Sequence, residues 1–114
     1  MRFTQVGLNP TSPLLEFKIT LNITEMKHDE VWIPIEASNY FPIGPVPVTI
    51  THCGNEKSYS AKVYCEYRNK RKIYDGWRDF IRDGGIREGD VLVVLITYSN
   101  FRSVFLDAKH VIPV

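Results

Sequence analysis

Five basic side chains, two tyrosines and an asparagine lie close together in residues 62–72, KVYCEYRNKRK. The five basic residues set against Glu66 give this segment a local charge of +4, whereas the whole chain carries only +1. Arginine can form paired hydrogen bonds with guanine and asparagine with adenine, while lysine suits phosphate oxygens. Positive charge concentrated in one segment of an otherwise slightly acidic chain is typical of a nucleic-acid contact.

The pattern around this segment predicts a strand, a loop and a returning strand. Apolar and polar side chains alternate from residue 59 to residue 66, which predicts a half-buried strand leading into the basic tip. Residues 72–74 form the returning strand, and such a ribbon is narrow enough to enter a major groove about 12 Å wide. Lys62 and Tyr64 flank the tip on the outward face, where they either touch the DNA backbone or are ordinary surface residues. The alternative for the whole tip is a solvated hairpin kept charged for solubility.

The rest of the chain predicts more short strands and two short helices. Residues 15–21 alternate strictly, and residues 31–33 and 46–50 are further strand candidates before the basic tip. After it, Asp75 is expected to cap a helix whose inward side chains are Trp77, Phe80 and Ile81. Residues 91–96 are apolar at every position, so we expect a strand covered on both faces, one of them by a helix. Trp32 is expected in the core. About seven short strands in this arrangement favour a mostly β, closed or nearly closed barrel.

Length and composition favour one domain. We expect a loosely held lead-in over residues 1–13 and a single domain over residues 14–114. No apolar run is long enough to span a bilayer, and the N-terminus does not have the pattern of a secretory signal. Cys53 and Cys65 are expected to be reduced thiols packed as small apolar side chains, which fits the cytosol or the nucleus.

An enzyme is not expected. His52 and Cys53 are adjacent in a strand, so their side chains point to opposite faces and cannot readily act together. His28 and His110 have no partners at metal-ligand spacing. We therefore expect no cofactor, no metal and no small-molecule substrate.

Several motifs together resemble the plant B3-type DNA-binding domain of transcription factors. The most specific are Asp75-Gly76-Trp77 with Phe80, followed by the segment IREGDV at residues 86–91; Ile33-Pro34 and the segment NYFP at residues 39–42 also match. Within this family the chain is most similar to the reproductive-meristem branch. The resemblance implies a seven-stranded open pseudobarrel with two short α-helices, and it covers nearly all of residues 15–108.

The resemblance also implies two loops that grip the major groove of double-stranded DNA. The first, the N-arm, corresponds to residues 22–30, with Thr24, Lys27 and His28 as contact candidates. The second, the C-arm, corresponds to residues 66–72, with the contact candidates Tyr67, Arg68, Asn69, Lys70, Arg71 and Lys72. The chain departs from well-known DNA binders of the family in two ways. It has Ile35 where they tend to carry a basic residue after Ile-Pro, and its N-arm contains Glu25, Asp29 and Glu30.

Two functions follow from this sequence. The first is sequence-selective binding of double-stranded DNA in a nuclear transcriptional regulator, with other transcription-factor subunits as further candidate partners. The second is a protein-interaction module of the same fold, in which the acidic N-arm makes DNA binding weak or non-specific.

Overall fold

The computed structural model describes residues 14–22, 27–42, 44–53, 56–67 and 70–111, with the backbone alone described at residues 66 and 67. Most of the described chain forms β-strands, numbered here β1 to β7 in chain order: Leu15–Thr20, Glu30–Trp32, Val46–His52, Ser58–Tyr67, Lys70–Tyr74, Val91–Ser99 and Val104–Val111. A 3-10 helix, Ile35–Tyr40, follows β2, and an α-helix, α1 (Trp77–Asp83), follows β5. No helix in this described part is both long and apolar enough to cross a membrane.

The seven strands form one mixed sheet in the order β1-β6-β7-β3-β4-β5-β2. Each neighbouring pair is antiparallel except β3 and β7, which run parallel. The sheet curves into a half-barrel with two short helices, which confirms the predicted mostly β pseudobarrel.

The core lies between the inward faces of the curved sheet and α1. Val63 of β4 is buried, as the sequence pattern predicts, and it lies opposite the buried Ile73 of β5. Trp77 and Phe80 of α1 are almost fully buried, and Phe80 packs edge-on against Tyr59 of β4, with ring centroids 5.7 Å apart. Burying a large apolar side chain contributes about 1.5–3 kcal/mol, so α1 is held in place mainly by this inward face.

Gly76 lets the chain pass very close to β4 just before α1 begins. Its φ angle is +142°, and a Cβ atom added there would lie 2.0 Å from the carbonyl oxygen of Ser60. Asp75, just before it, also has a positive φ of 57°. The N-cap of α1 is therefore Gly76, which provides no side-chain hydrogen bond, and the prediction that Asp75 caps the helix was wrong.

The Gly89-Asp90 turn fastens β1 to β6. The Asp90 carboxylate accepts a hydrogen bond of 2.9 Å from the backbone N–H of Arg87, and His110 Nε2 lies 2.6 Å from the same Oδ2 atom. The main chain adds two bonds, because Leu21 N–H donates to the Asp90 carbonyl and Gly89 N–H donates to the Leu21 carbonyl. The hydrogen bond from Arg87 and the contact with His110 together hold the pKa of Asp90 below its ordinary value.

Three other sequence expectations were wrong in detail. Trp32 keeps 36% of its surface exposed, because it alternates with the buried Val31 and Ile33 on a strand at the edge of the sheet. The outward positions of β6 are half-buried, and α1 packs against β4 and β2 instead of covering this strand. Cys53 is exposed, since it follows the end of β3.

We predict that Gly76→Ala destabilises the protein by about 3 kcal/mol or more, because the new methyl group would overlap the β4 backbone at a strained φ angle. The matched control is Gly44→Ala, where an added Cβ meets no atom within 4 Å, and its effect should stay within about 0.5 kcal/mol. Chemical denaturation of both variants measures the difference. Equal stability of the two would show that the close approach at Gly76 is not rigid.

We further predict that the Asp90 carboxylate stabilises the protein near neutral pH and that this contribution disappears in acid. A carboxyl whose folded-state pKa is lowered stabilises the fold above its unfolded pKa, near 3.8, and the stabilisation is lost as the pH falls through the lower folded value. Asp90→Asn keeps an acceptor oxygen but removes the charge. Melting temperatures of the variant and the wild type should differ at pH 7, and the difference should shrink as the pH falls through the lowered folded-state pKa of Asp90; a difference independent of pH would contradict this role.

Candidate nucleic-acid interface

Three strands at one edge of the sheet share an outward face that combines aromatic and basic side chains. In the register of β2, β5 and β4, Trp32 lies opposite Lys72, and Lys72 lies opposite Tyr64. One step along, Glu30 lies opposite Tyr74, which lies opposite Lys62. Together with Lys70 at the start of β5, these residues define what we call the β2–β5–β4 face.

The two candidate arms meet this face at opposite ends of β5. The N-arm joins the face at Glu30, which is paired with Tyr74. The predicted C-arm, residues 66–72, is largely strand, because β4 extends to Tyr67 and β5 begins at Lys70 instead of Lys72, so the tip of this arm joins β5 at Lys70. From Lys70 to Tyr74 the strand rises about 13 Å, at about 3.3 Å per residue. This length is close to the width of a B-DNA major groove, about 12 Å. The β2–β5–β4 face thus has about the length of a major-groove width, and we call it the floor between the two candidate arms.

The last residues of the N-arm are fixed to the start of α1. The backbone N–H of Arg78 donates a hydrogen bond of 2.5 Å to the Asp29 carboxylate, and the Arg78 side chain donates to the carbonyl of Lys27 at 2.6 Å. Asp29 thereby satisfies one of the unpaired N–H groups of the helix, for which Gly76 offers no side chain. Lys27 and His28 are exposed beside this anchor.

Lys72 is held within the face by two neighbours and is only 9% exposed. Its Nζ atom lies 3.1 Å from Glu30 Oε2 and 4.5 Å from the centre of the Trp32 ring. A cation over an indole ring is favourable, and the carboxylate compensates the partial burial of the charge. Lys72 therefore orients Trp32 and Glu30 more than it offers charge to a ligand.

Arg71 points to the opposite side of β5 and is only 7% exposed. Its Nε atom donates a hydrogen bond of 2.8 Å to the carbonyl of Phe41, just after the 3-10 helix. Successive side chains of a strand point to opposite faces, and Lys70 and Lys72 face outward, so Arg71 between them faces inward. This position favours a structural role, and we leave Arg71 out of the proposed contacts.

The remaining candidates divide into exposed residues and residues outside the described ranges. Lys70 is exposed at the base of the C-arm. Lys62 is also exposed and pairs with Asp75 at 3.2 Å, while the rings of Tyr64 and Tyr74 meet edge-on with centroids 5.0 Å apart. Thr24, Arg68 and Asn69 lie outside the described residues, and Tyr67 is described only by its backbone; their roles stay predictions.

Sequence reasoning missed two residues of this face, Trp32 and Tyr74. A usable signal existed for Trp32: Val31 and Ile33 are both apolar neighbours in a short strand, so the residue between them must face outward. Tyr74 belongs to the same outward series as Lys70 and Lys72. No group of three or more His, Cys, Asp or Glu side chains in the described ranges is placed to hold a metal ion.

This architecture is the fold of plant B3-like proteins. One solved structure with this fold is the hypothetical Arabidopsis thaliana protein At1g16640.1, with a TM-score of 0.62 at 19% identity, covering 82% of this chain and 88% of that one. A second is the Arabidopsis FUS3-DNA complex, with a TM-score of 0.58 at 14% identity, covering 82% of this chain and 93% of that one. No protein-family model and no curated protein sequence matches the chain. At these identities the similarity establishes the fold alone.

We predict that Asp29→Ala lowers the free energy of unfolding by about 1 kcal/mol, because the variant leaves the Arg78 N–H without its acceptor. Glu88→Ala, which removes an exposed acidic residue from the turn before β6, is the control and should change stability by less than about 0.5 kcal/mol. Hydrogen exchange of the Arg78 amide should accelerate in the first variant only. An unchanged exchange rate would show that Asp29 does not cap α1.

Proposed function

We propose that this chain binds double-stranded DNA by laying the β2–β5–β4 face against the major groove between its two arms, and that it serves as the DNA-binding module of a nuclear transcriptional regulator. The observation that carries the proposal is the placement of β5, which spans about 13 Å between the attachment points of the arms. The fold shared with FUS3, whose structure is a complex with DNA, supports the same conclusion.

The exposed side chains divide between affinity and base readout by their chemistry. Lys27, Lys62 and Lys70 suit phosphate oxygens as point charges. Arg68 and Asn69 in the C-arm offer the paired donors and acceptors that base edges present, and we assign sequence selectivity to them. Tyr64 is the candidate for a contact with the DNA backbone from the floor.

The acidic residues of the N-arm are no obstacle to this proposal where the structure describes them. The Asp29 carboxylate accepts a hydrogen bond from the Arg78 N–H at the N-terminus of α1, and Glu30 is paired with Lys72. Both carboxylates therefore face compensating partners in the protein. These two carboxylates therefore give less reason to expect that the acidic N-arm weakens DNA binding.

A second candidate function, protein association, is favoured by one observation at the other side of the sheet. Near the turn that joins β6 and β7, Tyr98, Phe101 and Phe105 are exposed, and the rings of Tyr98 and Phe105 stack edge-on at 5.9 Å. Exposed aromatic clusters often mark interaction sites. Such a surface is compatible with DNA binding, because other transcription-factor subunits could use it while the β2–β5–β4 face holds the duplex.

We predict salt-dependent duplex binding, with a slope of log K against log salt of about −4 to −5 if roughly four to six phosphates are neutralised. Lys70→Ala should weaken preferred and unrelated duplexes alike and make the slope shallower by about one unit. The matched control is Lys109→Ala, an exposed lysine on β7, three strands from β5 in the sheet.

The measurement is fluorescence anisotropy over a salt series, using a duplex selected from a random pool and an unrelated duplex. Lys109→Ala should behave as the wild type on both. Retained affinity with a flat salt response would exclude the phosphate contacts, and equal losses for the two lysine variants would exclude the β2–β5–β4 face as the binding surface.

A further inference from the structure

An open apolar depression borders the β2–β5–β4 face where Trp32 and Lys70 lie. Trp32, Ile33, Ile35 and Lys70 line it, and its volume is about 230 Å³. Ile35 is 67% exposed and Trp32 is 36% exposed, whereas Ile33 is buried. Ile35 and Trp32 thus present apolar surface to solvent beside the exposed charge of Lys70.

The Trp32 wall of the depression is held in a fixed orientation. Lys72 lies over the indole ring, and Glu30 holds Lys72 by an ion pair. The register of β2 against β5 places Trp32 opposite Lys72, so the ring cannot leave the face without breaking this arrangement. A site whose side chains are already ordered loses little conformational entropy when it binds.

Charge and position identify the ligand that fits. Lys70 places a positive charge at the rim, which suits the phosphate backbone of a nucleic acid, whereas the walls are apolar. In the major groove of DNA the apolar group that a protein can contact is the C5-methyl of thymine; the other groups at the base edges are hydrogen-bond donors and acceptors. An apolar surface continuous with the proposed DNA-binding face therefore has one matching partner in the groove.

We propose that the Trp32–Ile35 depression reads the C5-methyl group of a thymine next to the base pairs contacted by the C-arm. This inference rests on the proposed function, since it assigns a specificity-determining contact to the same face. Ile35 supplies the exposed aliphatic contact, Trp32 supplies the rigid wall, and Lys70 holds the neighbouring phosphate.

The test starts from the duplex that the wild-type protein selects from a random pool. Each thymine is replaced in turn by deoxyuridine, which removes only the C5-methyl group, and Kd is measured by fluorescence anisotropy. We expect one or two positions to lose about three- to fivefold in affinity, the value of one buried methyl group, and the remaining thymines to show no effect.

Three variants separate this contact from general effects. Ile35→Ala should bind the thymine and deoxyuridine duplexes equally, because the partner of the methyl group is gone. Val111→Ala is the control. It truncates another exposed aliphatic residue, at the end of β7, and it should keep the wild-type dependence on the methyl group. Ile35→Lys should also lose that dependence but should bind all duplexes more tightly, with a steeper salt slope.

The outcomes distinguish this inference from the proposed function. Wild-type binding that is indifferent to every thymine replacement, a selected site without thymine, or an Ile35→Ala variant that retains the dependence would each overturn the methyl contact while leaving DNA binding in place. An absence of any duplex binding by the wild type would overturn the proposed function itself and the inference with it.

Discussion

The alternation of side chains along β5 is the constraint on which the rest of this structure depends. The strand is paired on both edges, with β4 and with β2, and a shift of one residue would move every side chain to the other face. The buried Ile73 fixes the register from below, since its partners Val31 and Val63 are also fully buried. As a result, consecutive basic residues of one short strand are forced into different environments.

Two of these basic residues are used to build the site. Arg71 reaches the carbonyl of Phe41 and so ties β5 to the end of the 3-10 helix, which begins at Ile35 beside the depression. Lys72 holds Trp32 through its cation–π contact and is itself compensated by Glu30. A buried charge that loses its partner is strongly destabilising. Removing the partner of Arg71 or of Lys72 would therefore destabilise the protein. Contacts within the protein therefore hold both side chains in place.

Sequence patterns indicated about seven short strands and a mostly β barrel, and the family resemblance supplied the open pseudobarrel that the structure confirms. Period-two alternation locates the strands, and the Gly-Trp and Gly-Asp motifs mark where the chain must turn. The sequence did not show why these two motifs need their residues. Gly76 is required because a side chain there would overlap the carbonyl of Ser60 in β4. Asp90 is held by the backbone N–H of Arg87 and by His110 near the end of the chain. The surroundings of individual candidate-site residues could not be predicted in this way, since the contacts of Arg71 and Lys72 involve partners about 30 and about 40 residues away in sequence. Charge counting treats every basic residue of the segment as available to a ligand, and it has no means of detecting such partners.

The basic residues of β5 differ in their exposure, and this difference bears on how the proposed site would combine affinity with selectivity. Because Arg71 and Lys72 are turned to internal partners, Lys70 is the basic residue of β5 that stays exposed on the floor. In the proposed complex, the arms and Lys62 would therefore supply most of the electrostatic attraction, which salt screens. The floor contributes apolar surface and fixed shape, which salt screens far less. In the proposed complex, the apolar contact at Ile35 would add to the readout assigned to Arg68 and Asn69, and it would persist under ionic conditions that weaken the charged contacts.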